Sequence, residues 1–231
     1  RSFFAPSNNI AQQWKKSFIS TFLERDLKQW LNFTPITMRR LWQMLAHVNG
    51  QTINYSTLSN SLGVSNQTIK NYIDLLQSTY MVDSVPAYNK NFLKRLVKAP
   101  KVYIIDPGIT ATLLGLSSFD EIAGHPAFGS IWEGIVLMNI RGHFPDAEIY
   151  HYRTSNGNEI DFVLQEQNKV FLIECKASYS PKLSKGNHIV IEDIQPLITF
   201  IVQPSNQTWT AGKNIQVVNL STLITQIQNC L

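Results

Sequence analysis

The run EIDFVLQEQNKVFLIECK, residues 159–176, reads as two β-strands folded back on each other. Two β-type segments, 159–165 and 169–176, flank the turn residues Gln167-Asn168, a layout that predicts an antiparallel hairpin. A two-residue turn sets Glu166 opposite Lys169, so that Asp161 faces Glu174 and Glu159 faces Lys176. Because side chains alternate along a strand, Asp161, Glu174 and Lys176 share one side. The other side carries Ile160, Phe162, Leu164, Phe171, Ile173 and Cys175, which makes Cys175 a core residue rather than a nucleophile.

Directly opposed carboxylates, with β-carbons about 4.5–5.5 Å apart, repel each other unless a cation or a proton intervenes. A divalent metal held by Asp161 and Glu174 would resolve the conflict, and oxygen ligands without His or Cys suit Mg²⁺ or Mn²⁺. Lys176 beside such a metal would orient water or hold a phosphate oxygen, as phosphodiester hydrolysis requires. Glu133, on a helix predicted over 128–141, would add a third carboxylate. The competing reading is a solvated sheet edge in which Lys176 pairs with Glu159 and Glu174, worth about 0–1 kcal/mol.

Working outward, a third β-type run, 148–154, precedes the hairpin across Ser155-Asn156-Gly157-Asn158. Beyond it a helix or ordered loop over 183–194, strands over 199–203 and 216–219, and a helix over 222–229 are predicted. Towards the front, apolar spacing predicts helices over 12–31, from Thr37 to His47, from Ser56 to Gly63, and over 66–79 after Ser65. The turn Leu62-Gly63-Val64-Ser65 has the length and glycine placement of a helix-turn-helix. Its second helix turns Asn66, Gln67, Lys70, Asn71 and Asp74 outward. Two β-type runs, 81–85 and 101–105, flank a basic stretch with Lys90, Lys94, Arg95 and Lys98, which completes the plan of a winged helix with a long wing. Amides on the helix and cations on the wing suit duplex DNA, whereas Asp74 opposes phosphate. The other reading is that this domain packs against protein.

The charge is uneven. Residues 1–100 hold 12 Lys and Arg against 4 Asp and Glu, and residues 101–231 hold 8 against 12. A basic front raises the odds of a polyanionic partner, since neutralised phosphates release counterions. The 231 residues, 44% hydrophobic and 16% charged, have the composition of a globular protein and not of a disordered one. Two cysteines, Cys175 and Cys230, exclude a disulfide framework and a four-thiolate zinc site, so a cytoplasmic protein is expected. No apolar run nears the roughly 18 residues that cross a bilayer, so no membrane partner is expected. The first residue is not Met, and a longer parent protein is expected.

The order Glu133, Asp161, Glu174-Cys175-Lys176, with Tyr152-Arg153-Thr154 leading in, resembles the PD-(D/E)XK nuclease superfamily, whose core is an αβββαβ unit. From about Trp14 to the end, the chain is similar to the C-terminal region of a family of bacterial and archaeal AAA+-like ATPases. Phe22-Leu-Glu-Arg-Asp26, Ser61-Leu-Gly-Val-Ser65, Tyr72-Ile-Asp-Leu-Leu76, Lys101-Val-Tyr103, Asp106-Pro-Gly108 and Trp132-Glu-Gly134 carry that likeness. The resemblance implies an α+β fold: a remnant of an upstream ATPase module over 1–36, a winged helix over 37–108, and a nuclease-like domain over 109–231 whose first part, 109–124, is a linker. It makes Asp161 and Glu174 metal ligands, Lys176 the catalytic lysine and Glu133 an auxiliary carboxylate. No G-x-x-x-x-G-K-[ST] occurs, so ATP enters only through an ATPase domain elsewhere in the protein. Two functions are therefore expected to compete: a Mg²⁺- or Mn²⁺-dependent DNase, and a non-catalytic adaptor that binds nucleic acid or protein for the upstream ATPase.

Overall fold

A computed structural model describes residues 5–27, 34–88, 97–178 and 180–231. The chain forms two compact units, Arg1–Asp83 with Val102–Ile131, and Ser84–Lys101 with Trp132–Leu231. Both mix helix and strand. The chain leaves the first unit after Asp83 and returns to it at Val102.

In the first unit, α1 (Asn8–Thr21) starts at Ser7, whose hydroxyl accepts from the Ile10 N–H, and runs on into a π-helical turn, Phe22–Asp26. The predicted stripe is present as an aromatic stack, Trp14 on Phe18 at 5.4 Å and Phe18 on Phe22 at 5.9 Å, with Phe22 reaching Trp42 at 5.5 Å. The rest of the helix predicted to residue 31 lies outside the described residues. Helix α2 (Pro35–His47) begins two residues before the expected cap Thr37, because Pro35 at its first turn gives up no needed N–H. Strand β1 (Gln51–Thr52), which the sequence pattern does not announce, precedes α3 (Tyr55–Leu62). Asn54, not Ser56, caps α3 by accepting from the Thr57 N–H. Gly63 ends it at φ +66°, the left-handed conformation that glycine adopts without penalty. Helix α4 (Asn66–Ser78) follows with Ser65 as its cap, as expected. Strands β2 (Val82–Val85) and β3 (Lys101–Ile104) form a three-stranded sheet in the order β1-β3-β2, and two short helices follow, α5 (Pro107–Leu113) and α6 (Phe119–Ala123).

Helix α7 (Phe128–His143) leads into the second unit. Strands β4 (Glu148–Arg153), β5 (Glu159–Glu166) and β6 (Lys169–Cys175) make a meander. Helix α8 (Lys185–Ile194) crosses over to β7 (Ile198–Val202), which runs parallel to β6. The hairpin of β8 (Trp209–Gly212) and β9 (Ile215–Val218) precedes α9 (Leu220–Cys230), and the sheet order is β4-β5-β6-β7-β9-β8. The sequence reading has no counterpart of β8.

The β5–β6 ladder runs from Phe162 opposite Ile173 to Glu166 opposite Lys169, the register that the two-residue turn predicts. Both turn residues have positive φ, Gln167 at 47° and Asn168 at 61°, matching the right-handed twist of the strands. One sheet face buries Phe162, Leu164, Phe171 and Ile173 completely. On the other, Val163 and Leu172 pack with Tyr88, Tyr152 and Val190 of α8. Ile160, expected on the first face, joins this second cluster near the point where β4 shifts register between Tyr150 and Tyr152. A sheet covered on both faces leaves no solvated edge for Asp161 and Glu174, which are 7% and 5% exposed.

The described ends of the stretch read as a wing, residues 86–88 and 97–100, bond to strand β4, and the rest of it lies outside the described residues. Tyr88 N–H donates to the His151 carbonyl at 2.7 Å, His151 N–H to Pro86 at 2.9 Å, and Val97 N–H to Arg153 at 2.9 Å. These bonds give the outer strand β4 the partners that an exposed edge lacks.

The turn supplies a test of the register. Gln167→Asn with Asn168→Gly should stabilise the protein by about 1 kcal/mol, since both positions are left-handed and Gln tolerates that conformation poorly. Urea denaturation checks this through a raised midpoint with an unchanged slope, and a lowered midpoint would contradict the turn geometry.

Candidate functional site

Asp161 near the start of β5 and Glu174 near the end of β6 lie at the same end of the hairpin. Glu133 comes from α7, whose neighbouring Trp132 donates its indole N–H to the Val202 carbonyl at 3.0 Å and so ties α7 to β7. Lys176 follows β6, its backbone N–H still bonded to Val202 at 2.9 Å. The structure thus brings together the four residues singled out from sequence.

It adds a fifth. Lys101, the first residue of β3, is 4% exposed. Its ammonium donates to Asp161 Oδ1 at 2.9 Å and lies 3.8 Å from Glu133 Oε2. The approach is fixed two residues earlier. The His151 ring is buried, and its Nε2 lies 3.0 Å from the Ala99 carbonyl, which can only accept, so Nε2 carries the proton. Burial pushes His151 down to about 4, which keeps the ring neutral beside the cation. The sequence did carry a signal for Lys101, a lysine heading the apolar run of β3, but nothing in a local pattern reveals a partner 60 residues away.

Asp161 Oδ2 accepts the Cys175 N–H at 2.9 Å, so both its oxygens are engaged. Glu174 Oε1 accepts from Lys176 at 2.6 Å, while Oε2 is buried with no hydrogen-bond partner. Burial, then the charge of Asp161, pushes the Glu174 carboxyl up to about 7 against the pull of Lys176 and Lys101. Burial works to lower the Lys101 ammonium, but Asp161 and Glu133 outweigh it and hold it well above an ordinary lysine. The Cys175 thiol is raised by burial and stays inert, as expected of a core residue.

A hard divalent ion needs about six oxygens, with carboxylates free to approach it. Here Lys101 takes one Asp161 oxygen and a backbone amide the other, leaving Glu174 Oε2 as the open position on that pair. No three His, Cys, Asp or Glu gather in a metal-holding group among the described residues. In this arrangement a tethered ammonium already relieves the carboxylate repulsion that called for the ion, and Glu174 Oε2 with the remaining lone pairs of the Asp161 oxygens are the donors a divalent ion would approach.

In the first unit, Asn66, Gln67, Lys70 and Asn71 are all exposed along α4, and so is Asp74. Asn66 Oδ1 accepts from Ser59 Oγ at 2.5 Å, which ties the start of α4 to α3. Gln67 Nε2 donates to Asn71 Oδ1 at 2.9 Å, and the Lys70 ammonium lies 5.6 Å from the centre of the Tyr55 ring. Of the expected wing cations, Lys98 is exposed, while Lys90, Lys94 and Arg95 lie outside the described residues.

The fold and cluster define an α+β protein with a buried ionic centre in its second unit. The chain belongs to the family described as domain of unknown function DUF8612, whose pattern matches residues 2–120. A second family, domain of unknown function DUF4143, matches residues 128–223. The uncharacterized proteins Rv2008c of Mycobacterium tuberculosis and Mb2031c of Mycobacterium bovis are each 31% identical over 225 residues, which is 97% of this chain and 51% of theirs. The chain therefore spans about half the length of these relatives. Among solved structures it is similar to Can2 from Sulfobacillus thermosulfidooxidans, determined with cyclic tetra-adenylate, at a TM-score of 0.32 and 15% identity, covering 98% of this chain and 57% of that one. Protein VC1899 from Vibrio cholerae gives 0.31 and 10%, covering 97% and 56%. No helix among the described residues is long and apolar enough to cross a membrane.

Two outcomes test the ionic centre. Lys101→Met should cost about 3–5 kcal/mol at neutral pH by leaving Asp161 buried without its cation, and adding Asp161→Asn should recover much of the loss in a denaturation cycle. Glu174 titrates higher in the folded state than in the unfolded one, so its stabilising protonation is complete below about 4.5 and lost as pH rises towards 7. Wild type should therefore lose on the order of a few kcal/mol between pH 5 and pH 8 relative to Glu174→Gln, as measured by urea midpoints; parallel profiles would contradict it.

Proposed function

We infer that the chain is the nucleic-acid-binding, non-cleaving C-terminal part of an AAA+-family ATPase. In this reading the first unit is a winged helix that meets duplex DNA with α4, and the second is a PD-(D/E)XK-type domain that serves as an adaptor. One observation carries the non-cleaving half: the Lys101 ammonium, 2.9 Å from Asp161 and 3.8 Å from Glu133, occupies the electrostatic role of a catalytic ion. The binding half is supported by the exposed row Gln67, Lys70 and Asn71, and by the excess of 12 basic over 4 acidic residues in the first 100. Lys70 reaches phosphate as a point charge, and the paired amides of Gln67 and Asn71 present a donor and acceptor edge to a base. The ATPase module is assigned to the part of the full-length protein outside this chain, in keeping with relatives about twice its length.

A second reading, the metal-dependent DNase, is favoured by Glu174 Oε2, a buried carboxylate oxygen without a partner. One experiment separates the two. Plasmid and single-stranded DNA are incubated with Mg²⁺ or Mn²⁺, and wild type is compared with Asp161→Asn. Equal cleavage is expected, and faster cleavage by wild type would overturn the adaptor reading. Fluorescence anisotropy on a DNA duplex should show Lys70→Ala binding more weakly at every sequence, with the salt dependence reduced by about one counterion. Unchanged affinity would remove α4 from the interface.

A further inference from the structure

We propose that the cleft between α8 and strands β7, β8 and β9 binds single-stranded nucleic acid, stacking a base on Trp209 and holding its phosphate with Lys182 and His188. The cleft has a volume of about 490 Å³, and its lining includes Ser180, Lys182, His188, Ile201, Trp209 and Thr210. Among the described residues, no acidic side chain lines it. Trp209 is 39% exposed, so a large part of its ring is open to a planar partner. Lys182 and His188 are exposed above it, and the hydroxyls of Ser180 and Thr210 supply neutral donors at its rim.

The charge pattern is specific to this end of the sheet. The second half of the sequence carries more acidic than basic residues, yet residues 176–188 hold Lys176, Lys182, Lys185 and His188 and no Asp or Glu. The far end of the same hairpin is acidic, with Asp146, Glu148 and Glu166 together around another hollow. Strand register then sets a direction. Glu174 pairs with Ile201, Ile201 with Val217, and Val217 with Trp209, so the four occupy one row on one sheet face. Three strand spacings of about 4.8 Å put Trp209 roughly 14 Å from Glu174. The exposed cations Lys182, Lys185 and His188 are strung along the connection and helix above this row. A strand, with a phosphate at every residue, uses such a series, whereas a free nucleotide uses one end of it.

The site is separate from α4, so it can fail or stand independently of the duplex-binding reading. The test is fluorescence anisotropy of a labelled short oligothymidylate with wild type, Trp209→Ala and Lys182→Glu, with unlabelled thymidine monophosphate as competitor. Each variant should bind the strand roughly tenfold more weakly, the loss expected of one stacked base or one phosphate contact. Duplex binding that depends on Lys70 should be unchanged in both. Strand affinity equal to wild type in both variants would overturn the proposal. Displacement by the monophosphate at the same concentration as by the strand would overturn it too, by making the free nucleotide the ligand. Should Trp209→Ala fail to fold, as read by circular dichroism, Lys182→Glu at an exposed position carries the comparison alone.

Discussion

The second unit depends on one ion pair that neither partner can do without. A carboxylate as deeply buried as Asp161 is tolerable only when charge and hydrogen bonds compensate for lost water, and Lys101 with the Cys175 amide supplies both. The same ammonium leans towards Glu133 and so brings α7, β3 and β5 to one point. Glu174 is left with Lys176 on one oxygen and nothing on the other, and burial together with the charge of Asp161 makes it hold its proton more tightly than in water.

That arrangement changes what the acidic residues mean. Opposed carboxylates on a hairpin demand a positive charge, and the sequence alone suggests a metal because the predicted register sets only Lys176 beside them, with Lys169 at the turn end. The fold delivers another from the start of β3, by way of a segment that first pairs with β4 and is anchored by a neutral, buried His151. An internal cation and a bound ion satisfy the same electrostatic need, but only the second leaves exchangeable water to attack a phosphate.

Legibility in the sequence followed the range of the forces. The hairpin register was readable because a two-residue turn and a strict apolar alternation are local, and the observed pairs from Phe162 to Glu166 agree with it. The caps at Ser65 and Gly63 were readable for the same reason, while α3 and α2 start earlier than expected, α3 capped by Asn54 two residues before Ser56 and α2 opening at Pro35 two residues before Thr37. The covered second face was not readable, since Val163 and Leu172 become core only when α8 folds over them. Nor was the role of Pro86, Tyr88 and Val97, which flank a stretch whose basic composition suggests a wing but which bond to the outer strand β4. Strand β8, ending in Thr-Ala-Gly after an exposed Trp209, has too little apolar pattern to announce itself.

The parallel pairing of β6 with β7 obliges the chain to make a long return over the sheet, and that return carries the basic run from Lys176 to His188. Of these, Lys182, Lys185 and His188 are exposed, whereas Lys176 still bonds through its N–H to Val202. Substitutions at Lys182, Lys185 and His188 therefore change the charge of this surface while leaving the strand pairs beneath it intact.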